Sequence, residues 1–154
     1  MYQRLICFIF TLIFLAGACS KKEPIPPIPP VSSKHGDTLS HNNGQACLIC
    51  HTSGGPGPNY WVVAGSVFLE DLITPAVNGT VFFWTGQSGT GNLEATLEVD
   101  GNGNFYTTAS ILPGDGLYPQ IQGISGNVQY MPIKAPNGNC NSCHGTSEQP
   151  IWVK

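Results

Sequence analysis

Three hydrophobic patterns divide the chain. The first is an apolar region over residues 5–15, preceded by Arg4 and followed by Ala16-Gly17-Ala18 and then Cys19. A cationic start, an apolar stretch short for a bilayer span and a small-residue end mark an export signal. The second pattern, over residues 34–59, has no apolar period. It holds several Gly and Pro and one helix-compatible stretch at 45–51, which Gly54-Gly55-Pro56-Gly57-Pro58 ends. The third begins at Tyr60. Short β-rich runs at 60–69, 79–84, 93–99, 105–111, 118–121 and 126–131 predict strands. Leu93, Ala95, Leu97 and Val99 alternate with Glu94, Thr96, Glu98 and Asp100, the period of two expected of a strand with one wet face. Asp100-Gly101-Asn102-Gly103-Asn104 reads as a hairpin turn between two of these strands. Its start also matches an EF-hand loop, but Phe105 stands where that loop needs Gly and Ile111 where it needs Glu, which argues against calcium. Strands at near-regular spacing with turn residues between them predict a mainly β fold, an antiparallel sandwich.

Candidate chemistry flanks the strands. Cys47-Leu48-Ile49-Cys50-His51 and Cys140-Asn141-Ser142-Cys143-His144 are two copies of C-x-x-C-H, the attachment signature of c-type haem. Two thiols on one tight turn span the two vinyl groups of a porphyrin, and the next side chain is held where its imidazole can ligate iron. Each motif therefore predicts one covalently bound haem c, with Cys47 and Cys50 holding the first and Cys140 and Cys143 the second. The iron ligands would be His51 and His144. A four-cysteine zinc site is the main competitor, with local disulfides or a redox dithiol behind it. The pairs lie almost ninety residues apart, and zinc would give the following histidines no role.

Cysteine usage agrees with export. Of six cysteines, Cys7 falls in the signal and four serve the two haems. Cys19 follows small residues as in a bacterial lipobox and is the expected lipidation site, although Ala16 stands where Leu is usual. The expected location is the outer membrane of a Gram-negative bacterium, on its periplasmic or outer face. A proline run at 24–30 then forms a stiff extended spacer of roughly 20 Å. The organisation is thus signal and lipobox 1–19, linker 20–33, first haem segment 34–59, sandwich 60–131 and second haem segment 132–154. Without Arg4 the chain has 5 basic against 9 acidic residues, so there is no basic patch for nucleic acid.

Ala64-Gly65-Ser66-Val67-Phe68, Thr74-Pro75-Ala76-Val77-Asn78-Gly79-Thr80-Val81 and Val99-Asp100-Gly101-Asn102-Gly103-Asn104-Phe105 resemble the pattern of carboxypeptidase regulatory-like (transthyretin-type) domains. That resemblance covers about residues 60–131 and implies a seven-stranded Ig-like β-sandwich. The whole chain, with Gly138-Asn139-Cys140-Asn141-Ser142-Cys143-His144 near its end, is similar to multihaem c-type cytochrome lipoproteins of Gram-negative bacteria. Those are taken as electron carriers rather than enzymes.

The second axial ligand of each iron has few candidates: His35, His41, Met131, Lys34 and Lys134. His41 precedes Cys47 by six residues in a loop that can fold back over a porphyrin. His35 is similarly placed, and a solvated loop histidine is the competing explanation for both. Met131 ends a predicted strand nine residues before Cys140 and could ligate the second iron, with core packing as its alternative. Four histidines for two haems also permit bis-histidine ligation at both. The leading expectation is electron transfer with other redox proteins, either cytochromes or a membrane oxidoreductase. The alternatives are a small haem peroxidase, a haem subunit of a larger oxidoreductase, or a surface-binding module with structural haems. No separate acid–base constellation argues for catalysis.

Overall fold

The computed structural model describes residues 28–154. The export signal, Cys19 and most of the proline run lie outside the described residues. Short alternating runs bounded by turn residues give seven strands: β1 (Val63–Leu69), β2 (Thr80–Gly86), β3 (Thr90–Glu98), β4 (Asn104–Thr107), β5 (Tyr118–Gln122), β6 (Val128–Tyr130) and β7 (Ile151–Val153). The described residues contain no α-helix. Strand order is β4-β1-β7 in one sheet and β3-β2-β5-β6 in the other. Val63, Val67 and Phe105 from the first sheet meet Val81, Phe83 and Ile121 from the second in one apolar core. Two sheets over a shared core fit a β-sandwich. Each fully buried side chain of this kind contributes roughly 1.5–3 kcal/mol.

Three local expectations change. The turn at 100–104 closes no hairpin, because β3 pairs with β2 while β4 pairs with β1. Asp100 is fully buried, and its Oδ1 accepts the Asn102 and Asn104 amides at 2.9 Å each. That capped turn carries the chain from one sheet to the other. In β3 the expected alternation holds for Leu97 but fails at Leu93, which is exposed. Phe83 opposes Ala95 while the next residue, Trp84, opposes Leu93. The extra residue in β3 moves Leu93 to the outer face with Trp84. Finally, β7 is a strand absent from the sequence reading. It pairs in parallel with β1, Val67 opposite Ile151 and Leu69 opposite Val153. Three residues after a proline are too few to show a period.

The start of the described chain is also tied down. Ser32 bridges Thr107, and Ser33 donates its amide to the Tyr106 carbonyl at 3.0 Å. These bonds cover the free edge of β4 and aim residues 34–46 at β1.

Candidate functional site

Both C-x-x-C-H segments fold as the same short 3-10 turn, Cys47–Ile49 and Cys140–Ser142. In the first, the Cys50 and His51 amides donate to the Cys47 carbonyl at 3.2 and 3.0 Å. In the second, Cys143 and His144 donate to the Cys140 carbonyl at 3.2 and 3.0 Å. The helix-compatible stretch at 45–51 is thus a single turn. The four thiols are free, Cys50 and Cys143 exposed, Cys47 and Cys140 half-buried.

The two imidazoles are oriented alike. His51 Nδ1 lies 2.7 Å from the Pro58 carbonyl oxygen, and His144 Nδ1 lies 2.8 Å from that of Gln149. A carbonyl only accepts, so Nδ1 carries the proton and the Nε2 lone pair is left for a metal. The loop around His51 depends on Gly57. A Cβ there would lie 2.9 Å from the imidazole Cε1 and Nδ1. Among the described residues, no group of three or more His, Cys, Asp or Glu side chains is arranged to hold a metal ion by itself. Haem supplies four iron ligands of its own and asks the protein for one or two.

The motifs sit beside each other against β1. Asn141 is the centre of the contact. Its Oδ1 accepts the Ser66 amide at 3.1 Å, and its Nδ2 donates to Ser66 Oγ at 3.0 Å and to the Gln45 carbonyl at 3.1 Å. Ser66 Oγ in turn donates to Asn104 Oδ1 at 2.6 Å and accepts the Gly44 amide at 2.9 Å. Ser66, Asn104 and Asn141 are all buried, and this network joins residues two or three before Cys47 to the residue after Cys140 through direct hydrogen bonds. Gly65 makes room for it: a Cβ there would meet Cys140 Cβ at 2.9 Å. Burial raises the Cys47 thiol, with the Cys50 charge adding to it. Burial likewise pushes Cys140 up to about 12, with the nearby Cys47 charge the next cause. The proximity of the two motifs therefore appears in the thiols as well as in the backbone.

Their surroundings differ. The first motif borders a hollow of about 50 Å³, lined by His41, Cys47, Cys50, His51 and Trp61 among others. His41 faces His51 across it, ring centroids 6.1 Å apart and planes at 41°. Two imidazoles sharing one metal from opposite sides, each at about 2.0–2.1 Å, have centroids roughly 6 Å apart. Trp61 also lines this hollow, and its indole Nε1 is buried without a hydrogen-bond partner. The second motif opens on a cavity of about 410 Å³ reaching Phe83 and Phe105 of the core, in the size range of small-molecule sites. Met131 lines it together with Cys140, Cys143 and His144.

The remaining candidates lie elsewhere. His35 Nε2 is 2.8 Å from the Gly79 carbonyl oxygen and its Nδ1 is 3.8 Å from Glu98, and it lines neither hollow. Lys134 donates to Asp115 at 2.6 Å, and that bond holds the Asp115 carboxyl below its usual range. Lys34 lines neither hollow. Sequence reasoning did not assign roles to Trp61, Ser66 or Asn141. Asn141 was visible only as a letter inside the second motif, and Trp61 only as a strand-like aromatic. No family model, no curated protein and no solved structure matches the chain.

Proposed function

We propose that this chain is a dihaem c-type cytochrome that carries electrons, with Cys47, Cys50 and His51 holding one haem and Cys140, Cys143 and His144 the other. The observation that carries the reading is the repeated unit: a C-x-x-C turn followed by a histidine whose Nδ1 is fixed on a backbone carbonyl. Zinc knuckles and dithiol sites need no such orientation of the next residue. Bound haem iron would supply the one-electron couple. The chain's own part is to present Nε2, to keep the two attachment points close through Asn141, and to set the ligand opposite each imidazole. His41 would be the residue that holds the first haem opposite His51, and such bis-histidine ligation would suit electron relay. Met131 would hold the second haem opposite His144 and would then raise its potential relative to the first.

On this reading the sandwich is Ig-like, of the carboxypeptidase regulatory-like type, and the haem segments flank it. The chain is exported and anchored by lipid at Cys19 to the outer membrane of a Gram-negative cell, where it exchanges electrons with cytochromes or a membrane oxidoreductase. The test is a pyridine haemochrome assay with intact mass on periplasmically matured protein. The expected result is two haems per chain, and colourless protein with zinc or disulfides on these cysteines would overturn it.

One observation favours a second reading. No second histidine lines the cavity beside His144, so an iron there that Met131 does not reach would keep an open position. That would make the second site a small-ligand or peroxide site. Carbon monoxide binding by the reduced protein, with a high-spin ferric signal, would select this alternative.

A further inference from the structure

We propose that Trp61 is the positioning residue of the first site, fixing the plane in which the His51 imidazole is offered to its metal. The inference rests on the haem reading above but concerns a side chain that reading does not use. The Nδ1 bond to Pro58 settles which nitrogen faces outward, yet one hydrogen bond leaves a ring free to rock about the bond direction. The indole removes that freedom. Trp61 lies face to face with His51, centroids 3.5 Å apart and planes within 3°. Behind it, Tyr106 stacks on the other indole face at 4.4 Å and 10°.

The column is anchored at both ends. Tyr106 belongs to β4, where it pairs with Ala64 of β1 and accepts the Ser33 amide on its carbonyl. At the near end the Trp61 amide donates to the His51 carbonyl at 3.0 Å, so stacking ring and stacked ring share a backbone clasp. His51 is buried, whereas His41 opposite it is exposed. One axial imidazole is therefore held by the sheet and the other by a loop. His51 alone among the described histidines is stacked face to face. An imidazole's plane sets how its π system meets the metal orbitals. The group that fixes the plane thus tunes the spectrum and potential of that iron without touching it.

The experiment compares wild type, Trp61→Phe and Trp61→Leu as matured holoproteins by low-temperature EPR and spectropotentiometry, with haem counted in each. In Trp61→Leu the low-spin signal assigned to the first haem should shift or broaden and its potential should move. The second haem should keep its wild-type signal. Trp61→Phe retains a stacking ring and should restore most of the wild-type signal. First-haem spectra that superimpose in wild type and Trp61→Leu, with two haems in both, would overturn the assignment while leaving the dihaem reading intact. Wild-type protein without haem would instead remove the reading beneath it. Should Trp61→Leu fail to mature, Tyr106→Leu takes its place. The same shift then supports the clamp, and an unchanged first-haem signal overturns it.

Discussion

In both C-x-x-C-H segments the histidine amide meets the first cysteine's carbonyl at 3.0 Å and Nδ1 meets a downstream carbonyl, but the walls opposite are unlike. Around His51 they are a small hollow of about 50 Å³, a facing exposed histidine and an aromatic column. Around His144 they are a cavity of about 410 Å³ running into the apolar core, with Met131 in its lining. Five consecutive residues fold the turn, and a carbonyl seven or five residues further on fixes Nδ1 of the imidazole. Whatever stands on the other side comes from distant sequence, and the two sites diverge there. The comparison teaches that the cysteine turn and the Nδ1 contact are local here, while the wall opposite each imidazole belongs to the fold.

The harshest test removes one site at a time. Cys140→Ala/Cys143→Ala should mature with one haem per chain, as should Cys47→Ala/Cys50→Ala, and mass spectrometry with haemochrome absorbance will count them. Two haems retained in either variant would end the comparison. Next, the distal sides can be exchanged for nothing. His41→Ala should turn the first haem into a carbon monoxide-binding, high-spin centre and leave the second unchanged. Met131→Leu should lower the potential of the second haem in a spectropotentiometric titration and spare the first.

A smaller effect probes what joins the two sites. Asn141→Ala strips partners from the buried Ser66 amide and hydroxyl and from the Gln45 carbonyl, and should cost about 1–3 kcal/mol in urea unfolding. Because the side chain lies in the second motif and bonds Gln45 just before the first, it should also perturb both haem signals, which neither distal variant does. The mildest effect is in the thiols of chain made without haem. Cys143 is exposed while Cys140 is pushed up to about 12 from an ordinary 9.0, so at pH 8 an alkylating reagent should label Cys143 first. The sign for stability follows from the raised value. Below pH 9 both folded and unfolded chains keep this proton. Above it the unfolded chain loses the proton while the folded one holds it, so stability falls as pH rises from 9 toward 12.

Several features could be read before folding because each is carried by neighbouring residues. Six of the strands follow local runs, and the paired cysteines with their histidines lie within five residues. The errors arise where a longer range decides. Asp100-Gly101-Asn102-Gly103-Asn104 has hairpin chemistry, but the capped turn serves equally to switch sheets, and only the partners of β3 and β4 reveal which. His35 and His41 look equivalent as loop histidines. One is bonded to Gly79 on the sandwich and the other stands across from His51. Trp61 gave a strand-like signal because an aromatic before Val62-Val63 is what β1 would begin with.

By itself the sequence determined the two C-x-x-C-H motifs, the mainly β character and the expectation of export, since adjacency of side chains, a period of two and an apolar run are properties of contiguous chain. The tertiary structure decided that Gln45 and Asn141 touch, that Met131 and no second histidine joins His144 in lining the second cavity, and that Trp61 lies against His51. The physical reason is that these contacts exist only once β1 has drawn in β4 on one side and β7 on the other, with the two motifs packed against it. Residues nearly a hundred positions apart then share a buried network whose partners no local pattern encodes.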